Sequence, residues 1–147
     1  MRLTSPHFNN NKSIPSRFTC EGENINPRLE IYDVPETAKS LVLIMEDPDA
    51  TIGIFDHWLI WNMPVDQSGI GENSTPPGIQ GVNSAGKNGY IGPCPPTGEH
   101  RYFFNLYALD TNISLDRTTG KARLHQAMSG HIVAQTQLIG RYKRSKL

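Results

Sequence analysis

Three short segments hold most of the side chains able to do chemistry: Asp47-Pro48-Asp49, His57, and the run Gly89-Tyr-Ile-Gly-Pro-Cys-Pro-Pro-Thr-Gly-Glu-His-Arg-Tyr102. Two carboxylates two residues apart point the same way if the backbone stays extended. Placed close together they repel, which raises one pKa unless a cation or a donor lies between them. Taken alone, the triplet reads more readily as an Asx-type turn that stops a strand. His57 follows Asp49 after a short connection, and a hairpin-like return would bring it near the carboxylates, although a lone strand histidine is commonly structural. The third segment is the most informative. Glycines let a backbone approach a ligand and offer N–H groups to an anion, while prolines stiffen the loop and reduce the ordering cost of binding. His100 enters the next strand on the same face as Tyr102 and Phe104.

Strands must position these residues. Ser40–Met45 holds five consecutive apolar residues, the mark of a strand buried on both faces, and Pro48 ends it. His57–Met63 is a second strand, with His57, Leu59, Trp61 and Met63 on one face and Trp58, Ile60 and Asn62 on the other. Tyr102–Leu109 is a long aromatic strand, and His131–Gly140 is a last one. Shorter strands are expected at Arg17–Cys20, Leu29–Tyr32 and Gly78–Val82. The convincing helix is Thr119–Met128, capped by Asp116 or Thr118. Strands without regular βαβ alternation predict a mainly β protein: an antiparallel β-sandwich of two sheets with one or two peripheral helices, as a single domain over 1–147.

Composition narrows the function classes. The 13 Gly and 11 Pro among 147 residues imply many turns. Equal numbers of basic and acidic residues, 14 each, argue against a nucleic-acid binder, whose affinity rests on phosphate contacts. Arg141, Lys143, Arg144 and Lys146 read as a solvated basic tail. No stretch reaches the roughly 18 apolar residues of a membrane span, and Met1–Pro6 lacks the apolar core of a signal peptide. The expectation is a cytoplasmic protein without integral membrane contact, in which free thiols are the default for Cys20 and Cys94, although the sequence leaves open whether the two meet and pair. The terminal Ser145-Lys146-Leu147 matches a peroxisomal address by a pattern that also arises by chance.

In order and spacing, Asp47-Pro48-Asp49-Ala50, His57-Trp58 and Gly92-Pro93-x-Pro95-Pro96-x-Gly98-x-His100-Arg101-Tyr102 together resemble the phosphatidylethanolamine-binding protein family, in its compact bacterial and archaeal, Raf kinase inhibitor-like branch. Cys20–Pro27 and Gly130–Arg144 resemble its early turn and its tail. The resemblance implies a two-sheet sandwich with a small preformed anion pocket. Asp47, Asp49, His57, His100 and Tyr102 would line it, and Gly92 and Pro95 would shape its rim. Arg101, of opposite parity to His100, would be a structural ion-pair partner. One departure stands out: Ala50 is followed by Thr51 where the family commonly has proline.

On this reading the protein binds a small anionic or zwitterionic ligand, phosphate or a phosphoethanolamine-like head group, with no cofactor. The histidines and the Gly-rich turn supply donors. The carboxylates either orient the histidines or meet a cationic part of the ligand. The resemblance also implies a kinase or protease partner and a homodimer. The alternative is a low-turnover hydrolase using the Asp/His cluster, or Cys94 as nucleophile. No Gly-x-Ser-x-Gly, His-Glu-x-x-His or Walker pattern supports it. A metal site from Asp47, Asp49, His57 and His100 is chemically reasonable, but the resemblance argues against it.

Overall fold

The structure is a computed structural model and describes residues 1–145. In chain order its elements are β1 (Arg2–Thr4), β2 (Lys12–Ser13), a 3-10 turn (Ser16–Phe18), β3 (Leu29–Tyr32), β4 (Ser40–Asp47), β5 (Phe55–Met63), β6 (Gly69–Ile70), β7 (Ile79–Gln80), β8 (Glu99–Leu109), α1 (Lys121–Met128) and β9 (Ile132–Lys143). One sheet has the order β2-β9-β8-β4-β5-β7 and the other the order β1-β3-β6. The paired strands run antiparallel, except that β2 lies parallel to β9. This is the mainly β, two-sheet architecture expected from the strand pattern. Among the described residues no helix is long and apolar enough to cross a membrane.

β4 shows why the larger sheet is central. Leu41 to Met45 are all fully buried. Leu41, Leu43 and Met45 pack between the sheets with Leu3, Leu29, Ile31 and Ile70. Val42 and Ile44 face the opposite layer, where α1 supplies Leu124 and Met128. Each such side chain contributes about 2 kcal/mol through removal of apolar surface from water. Two apolar layers on one strand therefore explain the uninterrupted run.

β5 departs from simple alternation. Its register against β4 shifts twice: Leu41 pairs with Met63 but Leu43 with Ile60, and Met45 pairs with Trp58 but Glu46 with Asp56. Each shift inserts an extra residue, and an extra residue turns the following side chains to the other face. Asn62, with φ +57°, sits in the first irregularity. Met63 consequently joins Trp58 and Ile60 in the inter-sheet core, not Trp61 and Leu59 as strict parity predicted. His57 is the extra residue of the second irregularity and leaves that face too.

Other expectations need correction. The strand expected at Arg17–Cys20 is the 3-10 turn Ser16–Phe18, closed by the Thr19 hydroxyl donating to the Ser16 carbonyl at 2.7 Å. The strand expected over Gly78–Val82 shrinks to Ile79–Gln80. α1 starts after Gly120 without a side-chain cap, because Asp116 accepts from Thr118 within its own turn. The last strand runs on to Lys143, so Arg141 and Lys143 belong to the sheet and not to a tail. Arg144 is held as well: its Nε donates to the Pro95 carbonyl at 2.9 Å. Lys146 and most of the Ser145-Lys146-Leu147 motif lie outside the described residues.

Candidate functional site

The antiparallel pairings bring the C-terminal end of β4 and the N-terminal ends of β5 and β8 to one edge of the core. Asp47 pairs with Phe55, and Glu46 with Phe103. Asp47, His57, His100 and Tyr102, distant in sequence, thereby meet around one cavity of about 280 Å³, walled on the far side by Gly92, Cys94 and Pro95. Six of the seven residues expected at the site line it; Asp49 does not. The bulge at His57 is what admits that side chain, since regular parity would have aimed it at the α1 layer.

The polar groups are deeply set: Asp47 is 4% exposed, His57 5% and His100 7%. His100 Nδ1–H donates to Asp47 Oδ2 at 2.7 Å. The other Asp47 oxygen accepts the Asp49 N–H at 2.8 Å. His57 Nδ1–H donates to the Ile91 carbonyl at 2.6 Å, and the Ile91 N–H donates back to the His57 carbonyl at 3.1 Å. An acceptor on each Nδ1 assigns the tautomer, so each neutral ring carries its lone pair on Nε2. Tyr102 lies between the two rings, edge-on to His57 at 5.3 Å and stacked on His100 at 6.5 Å. Burial pushes the His57 pKa down; the Ile91 carbonyl, Asp47 and Asp56 oppose this, and His100 adds to it. Burial, then the Asp47 carboxylate, drive the Tyr102 hydroxyl well above its usual range.

Asp49 is corrected from lining residue to structural residue. Its carboxylate takes Arg101 Nε and Nη2, both at 2.9 Å, and the Arg101 N–H at 3.0 Å. Arg101 holds the Asp49 carboxyl at a pKa of about 2, chiefly through that side-chain hydrogen bond. Arg101 is thus the ion-pair partner its parity suggested. The two carboxylates have separate tasks: Asp47 orients His100, and Asp49 locks the start of β8 to the end of β4. Both Asp47 oxygens already accept a protein hydrogen bond, and Asp49 does not line the cavity. The triplet is also the turn that its sequence alone suggested. Among the described residues no three His, Cys, Asp or Glu side chains have the spacing to hold a metal ion.

The Gly/Pro loop does not supply the row of backbone donors expected of it. The Ile91 N–H is spent on His57, and the Gly92 N–H donates to Asn24 Oδ1 at 2.8 Å. Pro93, Pro95 and Pro96 have no N–H. Gly92 is needed for close approach to the protein itself: a Cβ there would stand 2.3 Å from both Asn24 Oδ1 and the Phe18 carbonyl. Cys94 is joined to Cys20 by a disulfide, so the pairing that the sequence left open is made and the default of free thiols does not hold. The turn holding Cys20 touches the loop by independent bonds, Cys20 N–H to the Pro93 carbonyl at 3.1 Å and Tyr90 O–H to the Phe18 carbonyl at 2.7 Å, and these bring the two thiols together.

Sequence reasoning missed Ile91 and Phe55. Ile91 fixes the His57 tautomer through its backbone, which no side-chain pattern reveals. Its one signal is being the lone aliphatic residue among glycines and prolines. Phe55 packs its ring 4.8 Å from His57. At the rim, Thr51 and Ile52 belong to a turn in which the Gly53 N–H reaches the Ala50 carbonyl at 3.3 Å, leaving Ile52 99% exposed.

Comparison with known proteins agrees with this geometry. The family model for phosphatidylethanolamine-binding protein matches residues 4–143. A UPF0098 protein of Methanothermobacter thermautotrophicus is 48% identical, covering 98% of this chain and 99% of its own length. A UPF0098 protein of Chlamydia trachomatis is 42% identical over 98% of this chain and 99% of its own. Among solved structures, the phosphatidylethanolamine-binding protein homolog CT736 of Chlamydia trachomatis superposes with a TM-score of 0.94 at 42% identity, covering 97% of this chain and 96% of its own. Escherichia coli YbcL, described as a member of the mammalian family, gives 0.91 at 28% identity over 97% of this chain and 98% of its own. With a matched segment that takes in every residue of the cavity, this chain belongs to the phosphatidylethanolamine-binding protein family.

Proposed function

We propose that this protein binds a small anion, a phosphate or phosphate ester of head-group size such as phosphoethanolamine, in the cavity between His57 and His100. One observation carries the reading: two buried imidazoles, each anchored at Nδ1, line a single cavity of about 280 Å³. Side chains held this firmly lose little entropy on binding, which favours recognition of a small rigid group. Affinity for a free head group is modest, because few atoms are buried. Recognition is of the phosphoryl end, since Asp49 is paired with Arg101 and both Asp47 oxygens already serve protein donors.

The site binds without turnover. The disulfide removes Cys94 as a nucleophile, and Asp49 is committed to Arg101. The kinase or protease partner and the homodimer rest on the family resemblance alone. The cytoplasmic placement stands against the disulfide, since disulfides persist mainly in oxidising compartments and in the cytosol of some hyperthermophiles.

Thermal unfolding in increasing inorganic phosphate or phosphoethanolamine tests the reading. A ligand that binds the folded state raises Tm by mass action, by about 2.7 kcal/mol of stabilisation at a hundredfold excess over Kd. The wild type should show the rise and His57→Ala should lose it. A rise that survives in His57→Ala places the ligand elsewhere.

A further inference from the structure

The cavity is short of hydrogen-bond donors, and this restricts which anion it can hold. Among the described residues no Lys or Arg side chain lines it. Arg101 is turned to Asp49, and Arg144 to the Pro95 and Pro96 carbonyls. Of the backbone N–H groups from Ile91 to Pro96, the Cys94 N–H alone keeps no protein partner among the described residues. The Tyr102 side chain also lines the cavity, with the Asp47 carboxylate close by to compete for its hydroxyl proton. The Nδ1–H groups of His57 and His100 are directed at the Ile91 carbonyl and at Asp47, so an uncharged ring at either position presents a lone pair, not a donor, at Nε2. A bare, fully deprotonated anion would set its own lone pairs against these two, among polar side chains that are themselves deeply buried. That arrangement costs free energy unless a proton lies between them.

We propose that the cavity takes its anion together with a proton, and so selects a ligand that carries or readily gains a P–OH group, phosphate or a phosphomonoester, over anions of similar size that do not. This rests on the anion-binding reading above and names the chemical class that site accepts. In the complex a P–OH donates to one Nε2. The second Nε2 acts as donor where the ring gains a proton from solvent, the negative ligand favouring the imidazolium. Phosphomonoesters have a second pKa near 6, so the proton is cheap at neutral pH. Sulfate and phosphodiesters carry none there, and both Nε2 lone pairs must then be protonated at the protein's expense.

The surroundings of His57 set that expense. Asp47 from β4, Asp56 from its own strand and the Ile91 carbonyl favour the imidazolium; burial and His100 from β8 oppose it, with Tyr102 packed between as a neutral group. Burial outweighs the rest. His100 faces Asp47, His57 and Tyr102, and Tyr142 across the β8–β9 pair.

Isothermal titration at pH 7.5, in two buffers of different ionisation enthalpy, distinguishes the possibilities with three probes: inorganic phosphate, phosphoethanolamine and inorganic sulfate. Sulfate should bind at least tenfold more weakly than phosphate. Phosphoethanolamine, mostly a dianion at pH 7.5, should take up between one proton (the P–OH) and two (the P–OH and the second imidazolium) per molecule bound, read from the buffer dependence of the enthalpy. Sulfate binding as tightly as phosphate, or phosphoethanolamine binding without proton uptake, overturns the inference while leaving the anion site standing. If neither phosphate nor phosphoethanolamine binds, the anion-binding reading itself has failed.

Discussion

At the scale of single residues, Asp47 decides which nitrogen of His100 faces the cavity, because a carboxylate can only accept. An amide at that position can donate instead. Asp47→Asn lets an amide N–H approach His100 Nδ1 and moves the ring proton to Nε2, converting a lone pair into a donor. The variant should therefore narrow the preference for phosphate over sulfate several-fold. A ratio of dissociation constants unchanged from wild type would show that Asp47 does not set the tautomer. His57 gives a pH signature. Its folded pKa lies below the ordinary 6.5, so the neutral form is favoured by folding. That stabilisation is fully present above the unfolded pKa and is lost as pH falls through 6.5 toward the lower folded value. Without ligand, Tm should fall between pH 7.5 and 5.5 more steeply in the wild type than in His57→Gln. Parallel slopes would mean that His57 does not titrate as described. Asp47, His57, His100 and Tyr102 are legible as candidate site residues through the order and spacing of the motifs that carry the family resemblance, whereas parity alone would turn His57 away from the cavity. The fate of Asp49 was less legible. Pro48 and the Asp49 N–H bond to Asp47 break the extended backbone that would have aligned both carboxylates.

At the scale of elements, two features act on the cavity wall. The bulge in β5 turns His57 inward, and bulges leave little trace in sequence because the residue types on either side remain strand formers. Even the positive φ of Asn62 is carried by a residue that ordinary alternation accommodates. The long strands were readable from apolar runs: Leu29–Tyr32 was placed to the residue, and the cores of β4, β5 and β8 were found with their ends trimmed. The Arg17–Cys20 segment has the same kind of apolar and aromatic residues, yet Pro15 and the Thr19 hydroxyl bond close it into a turn. The disulfide is the second feature. It links positions 74 residues apart and ties the wall loop to that turn. Constraining a loop of this length in the unfolded chain stabilises the fold by about 4 kcal/mol in the chain-entropy account. Reduction by dithiothreitol should lower the free energy of unfolding in urea by an amount of that order. A loss under about 1 kcal/mol would mean that the bonds around Cys20 and Pro93 already restrict the chain without the link.

At the scale of the whole molecule, the sandwich serves as a rigid frame that brings three strand ends to one place. The inter-sheet core, with Trp58, Phe104 and Leu106 beneath the site, fixes those ends. The α1 layer covers the other face of the same sheet. A site built on strand ends and a proline-rich wall should be present before the ligand arrives, so binding should need little rearrangement. On the proposed reading, recognition confined to the phosphoryl end would make the rest of the ligand a matter of what fits through the mouth. Ethyl phosphate should consequently bind within about threefold of phosphoethanolamine, whose extra ammonium finds no free carboxylate; a much weaker ethyl phosphate would reveal a cation contact. The most direct test of the central claim is a crystal structure of the protein soaked in phosphoethanolamine. A phosphoryl group is expected within hydrogen-bonding distance of both His57 Nε2 and His100 Nε2, with the disulfide and the Asp47–His100 bond unchanged. A saturating soak that leaves this cavity empty, or seats the phosphoryl group elsewhere, would contradict it.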